Sequence, residues 1–86
     1  MLRITVEKTE AKILFILEGS LSGPWVAELH KTIIGSRSQP DVIKLDLSRV
    51  HFADEQGLLL IRESMAWGVT LWAASPYIKE LLKQGL

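Results

Sequence analysis

The stretch DVIKLDLSRVHFADEQGLLLI (41–61) contains two different hydrophobic patterns in succession. Over 41–48, apolar residues alternate with polar ones, which predicts a β-strand with one buried face. LLLI (58–61) is apolar without interruption, which an amphipathic surface helix would not be. We therefore predict a strand followed by a helix whose first turns are either buried on every side or partly turned towards a partner.

The same reading extends to the rest of the chain. LRITVEK (2–8) alternates and predicts a half-exposed strand, whereas KILFILE (12–18) has a continuous apolar centre that predicts a strand covered on both faces. GSLSGP (19–24) is rich in turn-forming residues and predicts a loop before a helix. The predicted order is β-β-α-β-α-β-α, with strands at 2–8, 12–18, 41–48 and 69–74. The first helix begins at Pro24 and is stopped by Gly35, and a polar loop follows at 36–40. The second helix runs from Asp54 towards Gly68, and the third is capped by Ser75 and has Pro76 in its first turn.

This alternation predicts an α/β fold. Strands that alternate with helices form parallel crossovers, and a first strand joined by a hairpin adds an antiparallel edge. The expected architecture is a small four-stranded mixed, mostly parallel sheet with interspersed helices. The length of 86 residues, without a linker or repeat, predicts a single domain over 1–86.

Composition excludes several classes of function. Ten basic residues balance ten acidic ones, which argues against a nucleic-acid or acidic-membrane binder. The chain has no Cys and therefore no disulfide, thiolate metal site or thiol nucleophile. No apolar run approaches the roughly 20 residues of a membrane span, and the charged N-terminus does not resemble a signal peptide. We expect a cytoplasmic protein.

With this order established, the chain resembles the STAS domain, the family of bacterial anti-sigma-factor antagonists and of sulfate-transporter tails. The resemblance covers nearly the whole sequence. It depends on Gly19 and Leu21 after a buried strand, on LDLSRVHFAD (45–54) followed by Gly57, and on ASP (74–76) before the last helix. Each piece is weak alone, but together and in this order they are fairly specific, and the fold that they imply agrees with the predicted one.

The resemblance implies a protein partner and a question about its regulation. In regulated members of the family, Asp is followed by Ser-Ser-Gly or Ser-Thr-Gly, and a partner kinase that is itself an anti-sigma factor phosphorylates the hydroxyl residue before Gly. Here the segment reads Asp54-Glu55-Gln56-Gly57, so no hydroxyl lies between Asp and Gly. The resemblance places Gln56 at the phospho-acceptor position, which implies that the switch is absent while partner binding is retained.

The binding site that the resemblance implies is the loop and helix tip at 48–61, with GSLSG (19–23) near the same end of the sheet. Both segments follow strands of the same direction. Within 58–61 we expect most side chains to be buried and one or two to face the partner. The predicted partner-binding residues are Ser22, where many members of the family carry Asp, His51 in the loop, Asp54, Glu55, Gln56, Gly57 and Leu58.

Catalysis and metal binding are poorly supported. Asp54 and Glu55 are adjacent and point in different directions, so an N-cap and a first-turn acid explain them better than an acid/base pair. His30 and His51 lack the short paired spacing of metal ligands. We therefore predict no catalytic residue, metal or cofactor.

Three functions remain open. The first is a non-catalytic interaction module that binds an anti-sigma factor or kinase-like protein and acts in transcriptional regulation or signalling. The second is a regulatory STAS subunit bound to the ATPase of a lipid-transport ABC system, which needs no phosphorylation. The third is a small-molecule or nucleotide sensor, for which the sequence contains no positive motif.

Overall fold

The computed structural model describes residues 1–35 and 42–84. The polar loop predicted at 36–40 and the first residue of the strand predicted at 41–48 lie outside these ranges. The elements are β1 (Leu2–Lys8), β2 (Ile13–Leu21), α1 (Pro24–Gly35), β3 (Ile43–Ala53), α2 (Glu55–Ala66), β4 (Thr70–Ala74) and α3 (Pro76–Gln84). The predicted order β-β-α-β-α-β-α is confirmed.

The four strands form one mixed sheet in the order β1-β2-β3-β4. The β1–β2 pair is an antiparallel hairpin, and β2, β3 and β4 are parallel to one another. Because parallel crossovers are right-handed and these three strands follow one another in space, α1 and α2 lie on the same face of the sheet. The Arg62 side chain of α2 donates a hydrogen bond to the carbonyl oxygen of Leu82 at 3.2 Å, which places α3 beside α2.

One face of the sheet carries the core. Phe15 and Leu17 on β2 are fully buried, whereas Leu14 and Ile16 between them are only half-buried. The prediction that β2 is covered on both faces is therefore wrong, because the helices that the structure describes pack on one side. The buried hydrophobic core consists of Leu2, Phe15, Leu17, Leu21, Leu29, Ile33, Ile43, Leu45, Leu47, Val50, Ala53, Leu60, Ile61, Val69 and Ile78.

Two strands are longer than the sequence predicted. β2 continues through Gly19 to Leu21, which is half of the loop predicted at 19–24. β3 continues to Ala53, so all of 49–53 is strand. The two ends pair with each other, with Leu21 opposite Ala53 and register shifts earlier in the pair. Gly19 has a positive φ of 111°, and a Cβ there would overlap the carbonyl oxygen of Met1. This glycine thus belongs to an irregular strand rather than to a turn.

Helix ends follow the predicted capping chemistry more closely. The Ser75 hydroxyl accepts a hydrogen bond from the backbone N–H of Ile78 at 3.2 Å and donates one to the carbonyl oxygen of Val50 at 2.7 Å. It therefore caps α3 and ties the helix to β3. At the end of α2, Trp67 is the C-cap and Gly68 follows with a φ of 107°, a conformation that favours glycine.

The three tryptophans differ in burial. Trp25 is half-buried against the core, and Trp67 at the end of α2 is 39% exposed. Trp72 is 53% exposed on β4. Its side chain lies on the face of the sheet that no described helix covers.

None of the helices within 1–35 and 42–84 is long and apolar enough to cross a membrane.

The one-sided core predicts different costs for two leucines of β2. Replacing the fully buried Leu17 by Ala should lower the free energy of unfolding by about 2–5 kcal/mol, because the substitution leaves a cavity. Replacing Leu14 by Ala on the opposite face should cost about 1 kcal/mol or less, because the half-buried Leu14 side chain buries less apolar area. Urea titration of both variants measures this difference, and equal losses would contradict a one-sided core.

Candidate functional site: the tip formed by β3, α2 and α1

The tip of the molecule is organised by the Asp54 carboxylate. Asp54 separates β3 from α2 and has the extended backbone of an N-cap, with φ −79° and ψ −178°. One carboxylate oxygen, Oδ1, accepts a hydrogen bond from the backbone N–H of Gly57 at 2.8 Å. The other, Oδ2, accepts one from the N–H of Gly23 at 3.0 Å. A single side chain thus caps α2 and holds the residue that precedes α1.

These hydrogen bonds change the acidity of the group. The pKa of the Asp54 carboxyl is held below its ordinary value, first by the Gly23 N–H and next by the Gly57 N–H, which both stabilise the ionised form. The position at a helix N-terminus acts in the same direction, because the helix dipole favours a negative charge there. The tip therefore carries a fixed anion.

Gly57 is a structural residue of the tip. It is buried in the first turn of α2, where a Cβ would overlap the carbonyl oxygen of Leu21 and press on the Leu21 side chain. Asp54 N–H donates to that same carbonyl oxygen at 3.1 Å, so α2 begins in contact with the end of β2. The sequence analysis placed Gly57 among the partner-binding residues, and its burial instead makes it the residue that allows this close approach.

The remaining predicted residues surround this centre. Glu55 and Gln56 are exposed in the first turn of α2, and Ser22 is half-buried between β2 and α1. His51 is exposed, but it lies on β3 rather than in a loop, because β3 extends to Ala53. The structure therefore brings both predicted segments, 19–23 and the start of α2, to one end of the sheet.

Several neighbours of these residues were not singled out from the sequence. His51 Nε2 lies 3.2 Å from the Ser20 hydroxyl oxygen on the adjacent strand, within hydrogen-bonding distance. The Phe52 side chain is 44% exposed and stacks on Tyr77 of α3, with ring centroids 6.3 Å apart. The contact between Ser20 and His51 depends on the pairing of β2 with β3 beyond residue 48, which the sequence did not predict.

A groove between α1 and α2 opens beside the tip. It has a volume of about 320 Å³. Its lining consists of Gly23, Val26, Ala27 and His30 on the α1 side and Gln56, Leu59, Leu60 and Glu63 on the α2 side. At the far end of α2 the Trp67 ring contacts His30, with ring centroids 5.9 Å apart. The groove thus combines apolar walls with exposed polar groups.

The apolar run divides as the sequence analysis anticipated. Leu60 and Ile61 are buried, Leu58 is half-buried and Leu59 is 47% exposed towards the groove. The expectation of mostly buried side chains with one or two exposed is confirmed. Leu58 was chosen as the contact residue, but Leu59 is the more exposed. Gln56, Leu59 and Glu63 are spaced at i, i+3 and i+7 and therefore share one helix face. Because the other two residues are polar, this spacing could have predicted that Leu59 is the exposed leucine.

The tip does not have the composition of a metal centre. Within 1–35 and 42–84, no three His, Asp or Glu residues are grouped so that they could hold a metal ion.

The architecture is that of a STAS-like α/β domain: four mixed strands, three helices and the order predicted from the sequence. No model of a known protein family matches the sequence, and no curated protein matches it significantly. Among solved structures, the chain is similar to the anti-sigma factor antagonist SpoIIAA in its unphosphorylated form. The TM-score is 0.74 at 22% identity, over 96% of this chain and 84% of SpoIIAA.

A second solved structure contains a similar fold within a much longer chain. The structure of Mglu matches with a TM-score of 0.62 at 22% identity, over 84% of this chain and 19% of Mglu. The two comparisons establish a shared fold. The STAS-like fold and the resemblance stated from the sequence are thereby confirmed.

The lowered pKa of Asp54 predicts a specific pH dependence. A carboxyl whose pKa is lower in the folded state stabilises the fold above the unfolded value of about 3.9. This contribution is lost as the pH falls through the folded pKa. We expect Asp54→Asn to have a lower free energy of unfolding than the wild type at pH 7. The two free energies should converge as the pH falls and Asp54 becomes protonated in the folded wild type. Urea midpoints at pH 7, 5, 4 and 3 measure this, and a gap that stays constant would contradict it.

Proposed function

We propose that this chain is a non-catalytic protein-binding module that acts like an anti-sigma factor antagonist and has no phosphorylation switch. The fold of SpoIIAA supports the general class. The observation that carries the proposal is the tip itself, where a rigid anion-capped helix start adjoins a groove with an exposed leucine. Such a surface suits recognition by a folded protein better than chemistry on a small substrate.

The partner-binding surface in this proposal is the first two turns of α2 together with the groove. Glu55 and Gln56 project at its end, and Leu59 supplies an apolar anchor. Exposed apolar side chains surrounded by polar groups are the usual centre of an interface, because their burial excludes water. Glu55 and Glu63 on α2 favour a partner surface that contains Arg or Lys beside an apolar pocket.

The residues that follow the cap support a module without this switch. Neither Glu55 nor Gln56 carries a hydroxyl, so no phosphoryl ester can form between Asp54 and Gly57. A phosphoryl group at this place would put about −1.5 to −2 charge beside the fixed Asp54 anion and oppose binding of any partner that packs on it. The proposed module binds its partner, an anti-sigma factor or another kinase-like protein, without that control.

The test compares two double variants with the same change in charge. Glu55→Arg with Leu59→Arg alters the proposed surface, whereas Glu80→Arg with Val6→Arg alters exposed residues on α3 and β1. We expect the first pair to weaken partner binding at least 100-fold, because it removes the apolar anchor and reverses a charge. The second pair should bind as the wild type does. Circular dichroism and urea titration confirm that both variants fold.

The measurement is affinity capture from lysate of the native host, with soluble and membrane fractions kept apart, followed by titration of the recovered partner. A kinase-like or anti-sigma partner that is lost only with the first pair supports the proposal. A transport ATPase recovered from the membrane fraction would replace the proposed function by that of a regulatory transporter subunit. A partner that is lost equally with both pairs would show that the surface is assigned wrongly.

A further inference from the structure

β1 is an outer strand of the sheet that the described residues form, and hydrogen bonds just beyond its two ends show how its backbone is oriented. The register of the β1–β2 hairpin has no shift over Leu2–Lys8. Before the strand, the Ser20 N–H donates to the carbonyl oxygen of Met1 at 3.0 Å. After it, the Thr9 N–H donates to the carbonyl oxygen of Lys12 at 2.9 Å. Met1 and Thr9 therefore mark positions whose backbone groups bond to the β2 side.

The backbone groups of β1 that point outward follow from these two positions. In an antiparallel pair, residues that bond to the neighbouring strand alternate with residues whose N–H and C=O groups point to the other side. Met1 and Thr9 are both odd-numbered, so the odd-numbered residues of β1 bond to β2. The outer edge of the sheet consequently presents the backbone groups of Leu2, Ile4, Val6 and Lys8.

The side chains of β1 are arranged symmetrically about Thr5. Arg3 precedes Thr5 by as many residues as Glu7 follows it, and all three are exposed on the open face of the sheet. Ile4 and Val6 flank Thr5 on the core face, where Ile4 is half-buried and Val6 is 48% exposed. Reversing the strand about Thr5 therefore exchanges a basic residue with an acidic one and an apolar residue with another.

We propose that the outer edge of β1 pairs with the same edge of a second copy of this chain. The two strands are antiparallel, and a twofold axis passes beside Thr5, perpendicular to the sheet. The two sheets become one continuous sheet with the helices of both copies on the same face. The residues brought opposite one another are Leu2 and Lys8, Arg3 and Glu7, Ile4 and Val6, and the Thr5 residues of the two copies.

This register agrees with the directions of the backbone groups. The rotation pairs the four outward-directed residues only with one another, so each pair exchanges N–H···O=C bonds in both directions. Arg3 and Glu7 then form non-hydrogen-bonded pairs, in which opposite Cα atoms are only about 4.5 Å apart and side chains approach most closely. The symmetry repeats this ion pair on both sides of Thr5, and the threonines form a cross-strand pair at the axis.

The charges of β1 identify a second copy as the occupant of this edge. Charged residues on an edge strand usually discourage pairing with other chains. Here each charge meets its opposite on a copy of the same strand, so the charges favour self-association instead. The next symmetric register in either direction places Arg3 opposite Thr5 or Thr9 and loses the ion pairs. The net charge of zero adds no long-range repulsion between copies.

Arg3 has a neighbour of opposite charge within its own hairpin as well. It lies opposite Glu18 on β2, at a hydrogen-bonded pair, where opposite Cα atoms are about 5.5 Å apart. Glu18 in turn forms an ion pair with Arg49 at 3.4 Å. The shorter spacing across the proposed interface, together with this second partner of Glu18, leaves the Arg3 guanidinium able to bind Glu7 of the other copy.

The size of the edge predicts a weak dimer. A strand of seven residues is about 23 Å long, and pairing covers only a narrow strip along it. Stable interfaces bury about 800 Å² on each partner, which is well above the area of such a strip. We therefore expect a dissociation constant of about 10 μM to 1 mM, with association that weakens as salt rises.

The first test reverses the charges of β1. Arg3→Glu gives the edge two acidic residues, and Glu7→Lys gives it two basic ones. We expect each variant alone to dimerise at least about tenfold more weakly than the wild type, because both ion pairs become repulsive. An equimolar mixture of the two variants, and the double variant with both changes, should regain association. The matched controls are Lys79→Glu and Glu80→Lys on α3, both exposed and both expected to behave as the wild type.

The second test blocks the backbone of the edge. Val6→Pro removes an outward-directed N–H and leaves the hydrogen bonds to β2 in place, since proline is tolerated on an edge strand whose N–H faces solvent. We expect this variant to stay monomeric, whereas Val6→Thr keeps the N–H and should still dimerise. Urea titration confirms that the variants of both tests fold.

Sedimentation equilibrium from about 10 μM to 1 mM, in about 50 mM salt, measures the association. The proposal predicts a wild-type mass that rises with concentration. It also predicts that the amides of Ile4 and Val6 gain protection from hydrogen exchange as the dimer forms, while the Thr5 amide is already protected in the monomer.

A wild type that keeps the mass of one chain throughout would overturn the proposal. So would a dimer that Val6→Pro forms as well as Val6→Thr does, or one in which the Ile4 and Val6 amides gain no protection. A mixture of the two charge variants that associates no better than its components would exclude the register about Thr5.

Discussion

The Asp54 carboxylate is the contact on which the tip depends. It accepts hydrogen bonds from two backbone N–H groups, at Gly57 and Gly23, that belong to different helix starts. α1 and α2 follow β2 and β3, so this one group fixes the ends of two crossovers relative to each other. An ordinary N-cap side chain would accept a hydrogen bond only from a backbone N–H of its own helix, which here is α2. Here the same charge also sets the position of α1 and therefore the width of the groove between the helices.

The close approach of backbones at the tip gives this contact its geometry. Gly57 brings the first turn of α2 onto the carbonyl oxygen of Leu21, and the Asp54 N–H bonds to the same oxygen. The end of β2 is thereby in contact with the beginning of α2. A surface built in this way is rigid because its backbone groups are paired internally, and rigid surfaces lose less entropy when a partner binds.

The one-sided arrangement of helices gives the molecule two separate surfaces. The helix side presents the tip and the groove, in which Leu59 is the large apolar side chain that is exposed. The open sheet face presents the half-buried Leu14 and Ile16 of β2, the exposed Trp72 and charged side chains of both signs. Because the sheet lies between these two surfaces, a partner bound at the tip does not cover the open sheet face.

The sequence predicted the fold well because its signals were local. Alternation and capping gave the element order, and Ser75 and Pro76 gave the start of α3 where the structure has it. It failed where tertiary pairing overrides local preference. GSL (19–21) is rich in turn-forming residues, and the two polar residues Ser48 and Arg49 interrupt the alternation before 50–53. Both segments are nevertheless strands, because β2 and β3 pair along that length.

The sequence predicted which segments meet at the tip but not all the contacts that join them. Asp54 was recognised as a cap from its position before a helix, which is a local feature. Its second hydrogen bond, to Gly23, joins residues far apart in the chain and had no sequence signal. Likewise, the choice of Leu58 over Leu59 depended on the rotation of α2 about its axis, which packing against the sheet decides.

The measurement that tests the central claim most directly is amide hydrogen exchange of Gly23 and Gly57 in the wild type and in Asp54→Ala. If one carboxylate holds both helix starts, both amides are protected in the wild type. Both then lose protection together in the variant, while core amides such as that of Leu17 remain protected. Rapid exchange at Gly23 in the wild type, or loss of protection at Gly57 alone in the variant, would contradict the account, because the carboxylate would then cap α2 only.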